Sequence, residues 1–219
     1  MSDARIFGDP SWLVMVIGAK ASGKSCAVKY AIYTYARDFA YIVVLTPTAL
    51  NGWYSDFLPS AHIHDKYSDD IIQKLVDKQS AFKKSGKDIK MLLVMDDILA
   101  SPDIQMDKRK ANIMNTLYAA NRHYNISLMF VAQKLKGLPR LCRDNVDYVL
   151  LTRCMRSAWD DLYEAFGNTD KKAFYELLED GTRDYRILLY KAQVKRATDH
   201  FKCFSVPPSF LDKRFRLVY

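Results

Sequence analysis

Residues 12–28 read WLVMVIGAKASGKSCAV, an apolar run followed by the pattern G-x-x-x-x-G-K-S and a segment that favours a helix. The apolar run predicts a buried strand that ends where the glycine pattern begins. Glycines let the backbone curl until successive N–H groups converge on a phosphate, which also meets the positive end of the helix dipole. A glycine-rich turn that matches by accident would lack the flanking strand and helix. These residues therefore predict a phosphate-binding loop.

The side chains of this loop suit a nucleotide and Mg²⁺. Lys24 is expected to reach the β- and γ-phosphates as a flexible point charge, and the Ser25 hydroxyl to join the ligand shell of Mg²⁺. Backbone N–H groups are expected to supply the other contacts. The predicted nucleotide-binding residues are Gly18, Ala19, Lys20, Ala21, Ser22, Gly23, Lys24, Ser25 and Cys26.

A pair of carboxylates, Asp96 and Asp97, directly follows a second apolar run, KMLLVM at residues 90–95. In a parallel sheet these carboxylates emerge at the carboxyl end of a buried strand, beside the phosphate-binding loop. Asp96 is expected to hold Mg²⁺, and Asp97 to orient and deprotonate the attacking water. An isolated acidic pair is more often a turn or a helix cap, but the loop upstream favours the catalytic interpretation.

A polar residue, Gln133, follows a third apolar strand at residues 126–132. At that position its amide can contact the γ-phosphate or hold the lytic water. It can equally serve only to end the strand, so the residue pattern leaves both interpretations open.

The composition fits one α/β domain. The chain has 219 residues, of which 49% are hydrophobic, enough for a sizeable core. Its net charge of +8 suits a polyanionic partner without identifying one. The sequence contains no secretory leader and no apolar run of membrane-spanning length, so we expect a soluble, intracellular protein. Four cysteines without a C-x-x-C pair favour neither a zinc site nor a disulfide framework.

Hydrophobic periodicity predicts a mostly parallel sheet flanked by helices. Helices are predicted at residues 24–37, 69–85, 105–123, 157–166 and 171–178, and strands at 12–17, 41–45, 90–95, 126–132, 148–152 and 185–190. Residues 201–206 are expected to add a hairpin partner at the sheet edge, and residues 49–68 to form a loop packed by aromatic side chains. We expect one domain over residues 1–219: a tail or edge segment at 1–11, a core at 12–156 and a C-terminal extension with a basic end at 157–219.

Three segments carry a resemblance to a known family. GAKASGKS, LLVMDD and NRHYNISLMFVAQKLKGLPRLCRDNVDYVLLTR, in this order and at these spacings, resemble the genome-packaging ATPases of double-stranded DNA viruses. The similarity is greatest to the poxvirus-type packaging ATPases of the FtsK–HerA superfamily, and it covers residues 13–156. It implies an additional-strand, RecA-like P-loop fold that uses ATP and Mg²⁺. It also implies a pentameric or hexameric ring that translocates double-stranded DNA into a preformed capsid, with viral capsid proteins at a packaging vertex as partners. Such a ring acts in the host cytoplasm or stays with the virion.

The resemblance assigns a role to each site residue. Lys24 and Ser25 bind the nucleotide and Mg²⁺, Asp96 is the metal carboxylate, Asp97 the catalytic base and Gln133 the polar sensor. Many relatives have Glu where Asp97 stands, and the Asp side chain is one methylene group shorter.

Family motors also use an arginine finger from the neighbouring subunit. Arg122, just before the strand that ends at Gln133, matches that position best, and Arg140 and Arg143 are the next candidates. Arg122 could instead only interact with the carboxyl end of its own helix.

Two basic regions are candidate DNA contacts. In a ring, Lys108, Arg109 and Lys110 would face the channel and contact DNA phosphates independently of base sequence. The same run is equally typical of a solvated helix face. The basic C-terminal end is a second candidate surface for DNA or capsid, although a solvated edge hairpin explains it as well.

Two other classes of function fit parts of this pattern. A nucleotide or small-molecule kinase would use an arginine-rich lid, which the basic residues 134–143 resemble, but the Asp96–Asp97 pair and Gln133 argue against it. An ATP-dependent switch of the helicase-loader type would bind nucleotide and a partner with negligible turnover.

Overall fold

The computed structural model describes residues 5–98 and 113–218. Over these residues the α-helices are α1 (Lys24–Tyr35), α2 (Asp69–Lys84), α3 (Ile113–Ala120), α4 (Arg140–Asp144), α5 (Trp159–Phe166), α6 (Lys171–Gly181) and α7 (Pro208–Leu211). The strands are β1 (Leu13–Ile17), β2 (Tyr41–Leu45), β3 (Ile63–His64), β4 (Met91–Asp96), β5 (Ile126–Ala132), β6 (Tyr148–Leu151), β7 (Ile187–Lys191) and β8 (Phe201–Phe204).

The strands form one sheet in the order β3-β2-β4-β5-β1-β6-β7-β8. All pairs from β3 to β6 are parallel, whereas β7 and β8 add antiparallel strands at one edge. β5 lies between β1 and β4, so it is the additional strand that separates the phosphate-binding loop from the acidic pair. The carboxyl ends of β1, β4, β5 and β6 share one edge of the sheet, because these strands are parallel.

The sheet is covered on both faces, which explains why its central strands are apolar without alternation. Every residue of β1, β2 and β5 is buried. Alternate β1 residues point to opposite cores: Leu13 and Met15 join α2, α3, α5 and α6, whereas Val14 joins α1. The loop at the end of β1 is therefore fixed by a strand that packs on both sides.

The N-terminal segment packs against the sheet in its described part. Phe7 is buried, and both its N–H and its carbonyl bond to the Tyr35 hydroxyl, at 2.5 and 2.6 Å. Gly8 N–H donates to the Tyr148 hydroxyl at 3.0 Å. Residues 5–8 thus tie the end of α1 to the start of β6.

Several predicted element boundaries were wrong. The first helix ends at Tyr35 rather than at residue 37, and α4 lies where no helix was predicted. β7 begins at Ile187 rather than at residue 185, because Asp184 and Tyr185 have positive φ angles that a strand does not accept. The short strand β3 falls inside the predicted loop 49–68.

Two other expectations concern the middle and the end of the chain. Of the helix predicted at 105–123, α3 is the described part, and Lys108, Arg109 and Lys110 lie outside the described residues. β8 pairs antiparallel with β7, as the expected edge hairpin requires. Beyond α7, the Phe215 ring packs against Tyr33 of α1, and Leu217 N–H donates to Phe57 O at 2.9 Å. Within the described residues, no helix has the length and apolar content needed to cross a membrane.

Candidate active site

The phosphate-binding loop is tied to the strands on both sides of β1. Gly18 N–H donates to Ala132 O at the end of β5 (3.2 Å), and Ala19 N–H donates to Arg153 O just beyond β6 (2.8 Å). Gly23 precedes α1 with a φ of 92°, a left-handed conformation that glycine adopts without strain. The first N–H groups of α1 have no acceptor in the preceding turn, so they point toward the space that the loop surrounds.

Gly18 has no room for a side chain. A Cβ atom there would lie 1.8 Å from Oγ1 of Thr152 and 2.7 Å from Oγ of Ser22. These two hydroxyls hydrogen-bond to each other at 2.7 Å and are buried. The glycine that the motif places at this position is therefore required by the wall that Thr152 and Ser22 form behind the loop.

Lys24 lies inside the loop with its ammonium group against the backbone. Its Nζ donates to Gly18 O at 2.9 Å and to Ala19 O at 2.8 Å. Partial burial lowers its pKa from the usual lysine value, whereas the nearby Asp97 and Asp96 carboxylates act in the opposite direction. Because β1 and β4 end at the same edge of the sheet, the ammonium group and the acidic pair lie at that edge.

Asp96 and Asp97 stand at the carboxyl end of β4, as predicted. Asp96 is the last residue of the strand, and Asp97 N–H donates to Val131 O of β5 at 3.1 Å. Asp97 is exposed and adopts a φ of 51°, which turns the chain sharply away from the strand. Burial raises the pKa of the Asp96 carboxyl, and the hydrogen bond from Tyr54 partly offsets that effect.

Tyr54 is a site residue that the sequence did not reveal. Its hydroxyl donates to Oδ2 of Asp96 at 2.9 Å, while its ring is buried against Trp53 and Phe57. The sequence predicted only the packing role of these aromatic residues. No local pattern indicates the polar contact, because it joins positions 42 residues apart.

Gln133 is exposed and follows β5 without an intervening residue. β5 pairs with β1 on one side and with β4 on the other. Gln133 therefore lies at the sheet edge between the phosphate-binding loop and the Asp96–Asp97 pair. Its contact with the γ-phosphate or the lytic water stays a prediction.

The donors at this edge fit Mg²⁺. Mg²⁺ prefers oxygen ligands and usually combines one or two protein groups with phosphate oxygens and water. The Ser25 hydroxyl and the Asp96 carboxylate offer such donors, and Tyr54 orients the carboxylate. Among the described residues, no cluster of three or more His, Cys, Asp or Glu side chains forms an all-protein metal cage.

Comparison with known proteins decides the family. The family model described as Poxvirus A32 protein matches residues 6–206. The chain belongs to this family. The poxvirus-type relationship predicted from the three motifs is thus confirmed, and it extends well past residue 156.

Two viral proteins are similar to this A32-family chain. An uncharacterised protein of Acanthamoeba polyphaga mimivirus is 31% identical over 155 residues, which cover 66% of this chain and 52% of that protein. An uncharacterised protein of Invertebrate iridescent virus 6 is 28% identical over 142 residues, which cover 64% of this chain and 54% of the relative. The chain thus spans about half the length of these two curated relatives.

Solved structures share the fold. The genome packaging NTPase B204 from Sulfolobus turreted icosahedral virus 2, in complex with ATPγS, matches with a TM-score of 0.65 at 19% identity. The match covers 90% of this chain and 98% of that chain. The pCW3 conjugation coupling protein TcpA matches with a TM-score of 0.63 at 15% identity, over 90% of this chain and 60% of its own. The predicted additional-strand P-loop fold is confirmed for this A32-family member.

The three candidate finger arginines, Arg122, Arg140 and Arg143, differ in their positions and in their partners. Arg122 precedes β5 and forms an ion pair with Asp147, which precedes β6. It is separated from the loop edge by the length of β5, seven residues or roughly 20 Å. Arg140 is exposed and pairs with Asp144 at 3.4 Å, whereas Nε of Arg143 is buried. In this family member, Arg122 cannot reach the nucleotide site of its own subunit.

Proposed function

We propose that this chain is an ATPase that translocates double-stranded viral DNA into a preformed capsid. One observation carries the ATPase part: Lys24 and the Asp96–Asp97 pair come together at one sheet edge, with Gln133 between their strands. Membership of the Poxvirus A32 protein family and the structural likeness to a genome packaging NTPase support the packaging part.

Nucleotide binding begins with the backbone. The N–H groups of the loop and of the first turn of α1 surround the phosphates, and the dipole of α1 favours their negative charge. Lys24 exchanges its bonds to Gly18 O and Ala19 O for bonds to the β- and γ-phosphate oxygens. Its partial burial strengthens this charge interaction, because less water competes with it.

Ser25 and Asp96 would hold Mg²⁺, which when bound neutralises charge on the β- and γ-phosphate oxygens. Tyr54 keeps the Asp96 carboxylate turned toward the loop through its hydrogen bond. The exposed Asp97 orients a water molecule for in-line attack on the γ-phosphorus and accepts its proton. Gln133 donates to the γ-phosphate or to that water, so that hydrolysis depends on the presence of the terminal phosphate.

Arg122 acts on the site of a neighbouring subunit in this proposal. Its distance from the loop of its own chain excludes a role there, and its side chain is 59% exposed despite the ion pair with Asp147. An exposed arginine at the opposite end of the sheet suits a homo-oligomeric ring in which one subunit's Arg122 faces the next subunit's phosphates. The guanidinium group then stabilises the charge that develops in the transition state.

DNA contacts of such a motor must be independent of sequence. The net charge of +8 favours binding to the phosphate backbone, and such binding weakens as salt concentration rises. Lys108, Arg109 and Lys110, which lie outside the described residues, stay the predicted channel contacts. The motor core is assigned to residues 12–156, and the ring is proposed to act in the cytoplasm of the infected cell with capsid proteins at a packaging vertex.

The test is phosphate release from ATP with and without linear double-stranded DNA. Lys24→Ala serves as the control for contaminating ATPases. The proposal predicts that hydrolysis depends on Mg²⁺ and that its rate increases when DNA is added. High salt should weaken DNA binding and lower the rate to its value without DNA. Formation of ADP without release of inorganic phosphate, dependent on a small phosphate acceptor and unaffected by DNA, would identify a kinase. Nucleotide binding without turnover would identify a switch.

A further inference from the structure

A small cavity lies beside the phosphate-binding loop, apart from the groups that act on phosphate. Its volume is about 130 Å³, and it is lined by Ser22, Arg153, Thr182, Asp184 and Tyr185. Only Ser22 among these residues belongs to the loop. The hydrolysis mechanism uses none of the other four.

The topology places this cavity on the side of the loop opposite the acidic pair. Arg153 follows β6, and Asp184 and Tyr185 precede β7, which pairs antiparallel with β6. These ends therefore meet at the same sheet edge as the loop. Since the strand order is β4-β5-β1-β6-β7, Asp96 and Asp97 lie to one side of the loop and the cavity lies to the other. A nucleotide bound with its γ-phosphate near Asp97 would extend its base toward the cavity.

Tyr185 presents an aromatic ring at this position. Its side chain is 73% exposed, and among the residues that the structure describes no other Phe, Tyr or Trp is mainly exposed. The ring is close to the loop: a Cβ atom on Gly23 would lie 3.4 Å from its Cδ1. The ring is thus available to a ligand that the loop holds.

The backbone holds Tyr185 in an unfavourable conformation. Asp184 and Tyr185 have φ angles of 54° and 59°, in the left-handed region that side chains with a Cβ rarely adopt. Backbone strain of this kind persists only where the surroundings enforce it, and it clusters at ligand sites. Here the turn is closed by Arg186 N–H, which donates to Arg183 O at 3.0 Å, and by the Thr182 hydroxyl, which donates to Leu178 O at 2.7 Å.

We propose that Tyr185 is the platform on which the base of the bound nucleoside triphosphate stacks, and that this cavity is the base subsite. The inference rests on the proposed use of a nucleotide but not on DNA translocation. Stacking needs an exposed aromatic face at a fixed distance from the phosphates, and the strained turn supplies it without a cost of ordering on binding. Arg153 and Asp184 add hydrogen-bonding groups of both polarities at the rim.

The test compares a ligand that has a base with one that has none. Affinity for ATP, measured with its non-hydrolysable analogue AMPPCP, and affinity for inorganic tripolyphosphate are determined by calorimetry in the presence of Mg²⁺ for wild type, Tyr185→Ala and Tyr185→Trp. Tyr185→Ala should weaken ATP binding by about 5- to 150-fold, the range for loss of one base–aromatic stack, and leave tripolyphosphate binding unchanged. Tyr185→Trp should retain ATP binding. Leu211→Ala, at an exposed apolar side chain on α7, is the control and should change neither affinity.

Two results would overturn the base subsite. Unchanged ATP affinity in Tyr185→Ala would mean that the ring makes no contact with the base. Equal weakening of both ligands would mean that Tyr185 only supports the loop. The base subsite can be tested separately from the motor proposal. If Tyr185→Ala selectively loses ATP affinity but the wild type does not move DNA, the base subsite is supported and translocation is rejected.

Discussion

The Tyr54 hydroxyl lies 2.9 Å from Oδ2 of Asp96 and donates a hydrogen bond to it, which links the predicted metal carboxylate to an aromatic cluster outside the motifs. In that cluster the Phe57 ring lies 5.9 Å from Tyr54 and 5.3 Å from Phe215, measured between ring centroids. Phe215 belongs to the C-terminal segment that crosses α1. The aromatic cluster that contains Tyr54 thus includes a residue from the C-terminal segment.

Removal of the Tyr54 hydroxyl should weaken Mg²⁺ binding without changing the fold. In Tyr54→Phe the buried ring stays, but Asp96 loses the partner that orients it, so the Mg²⁺ concentration for half-maximal hydrolysis should rise about 10- to 100-fold. The hydrogen bond also lowers the pKa of Asp96, so its loss raises that pKa and should move the acidic limb of the rate profile to higher pH. Tyr41→Phe is the matched control, since the Tyr41 hydroxyl bonds to Gln79. Identical Mg²⁺ curves for both variants would show that Tyr54 only packs.

Gly18→Ala should disable the phosphate-binding loop. The new methyl group would meet Thr152 Oγ1 at 1.8 Å, so the loop must move, and a displacement of about 1 Å costs roughly 100-fold in kcat/KM. Gly137→Ala is the matched control, because a Cβ atom there has no neighbour within 4 Å. Steady-state ATP hydrolysis is measured for both variants. Near-normal activity of Gly18→Ala would contradict the tight wall behind the loop.

Asp97→Asn should separate binding from hydrolysis. Asparagine tolerates the left-handed backbone found at this position, so the substitution removes the base without disturbing the turn. Hydrolysis should fall by about 10²- to 10⁴-fold, the usual contribution of a general base, while ATP affinity stays the same. A parallel measurement on Lys24→Ala should show loss of affinity as well. Full turnover by Asp97→Asn would assign the base elsewhere.

Arg122→Ala tests the contribution of the neighbouring subunit. Loss of a trans finger should lower kcat by about 10³- to 10⁵-fold. A mixture of Arg122→Ala and Asp97→Asn subunits should then recover activity, because some sites combine an intact Asp97 with an intact Arg122 from the next subunit. A mixture of Lys24→Ala and Asp97→Asn should not recover, since both residues act within one site.

Arg122 also has a structural role that needs its own control. The carboxylate of Asp147 pairs with Arg122 and accepts a hydrogen bond from Leu13 N–H at 2.8 Å. The thermal melting temperature of Arg122→Ala should therefore be measured beside that of Asp147→Asn. If Arg122→Ala hydrolyses ATP at the wild-type rate and only melts earlier, its ion pair with Asp147 is its whole function.

The sequence predicted the parts of the site that lie next to their own strands. Asp96 and Gln133 each follow an apolar run directly, and Lys24 follows one after the six residues of the glycine motif, so the run that predicts the strand also predicts where the side chain emerges. Tyr54 and Tyr185 could not be found in this way. Tyr54 lies in an irregular segment, and only the path of that segment brings it to Asp96. Tyr185 lies just before an apolar run, so the predicted strand included it, although it belongs to a turn with positive φ angles. Contacts set by tertiary packing have no local signature.

The central claim is that ATP hydrolysis moves this protein along double-stranded DNA. The most direct measurement is ATP-dependent displacement of a fluorescent third strand from linear duplexes of increasing length, with Asp97→Asn as the matched inactive protein. The account predicts displacement by the wild type, after a lag that grows with duplex length, and none by Asp97→Asn. Displacement that is equal in both proteins, or hydrolysis by the wild type without any displacement, would contradict it.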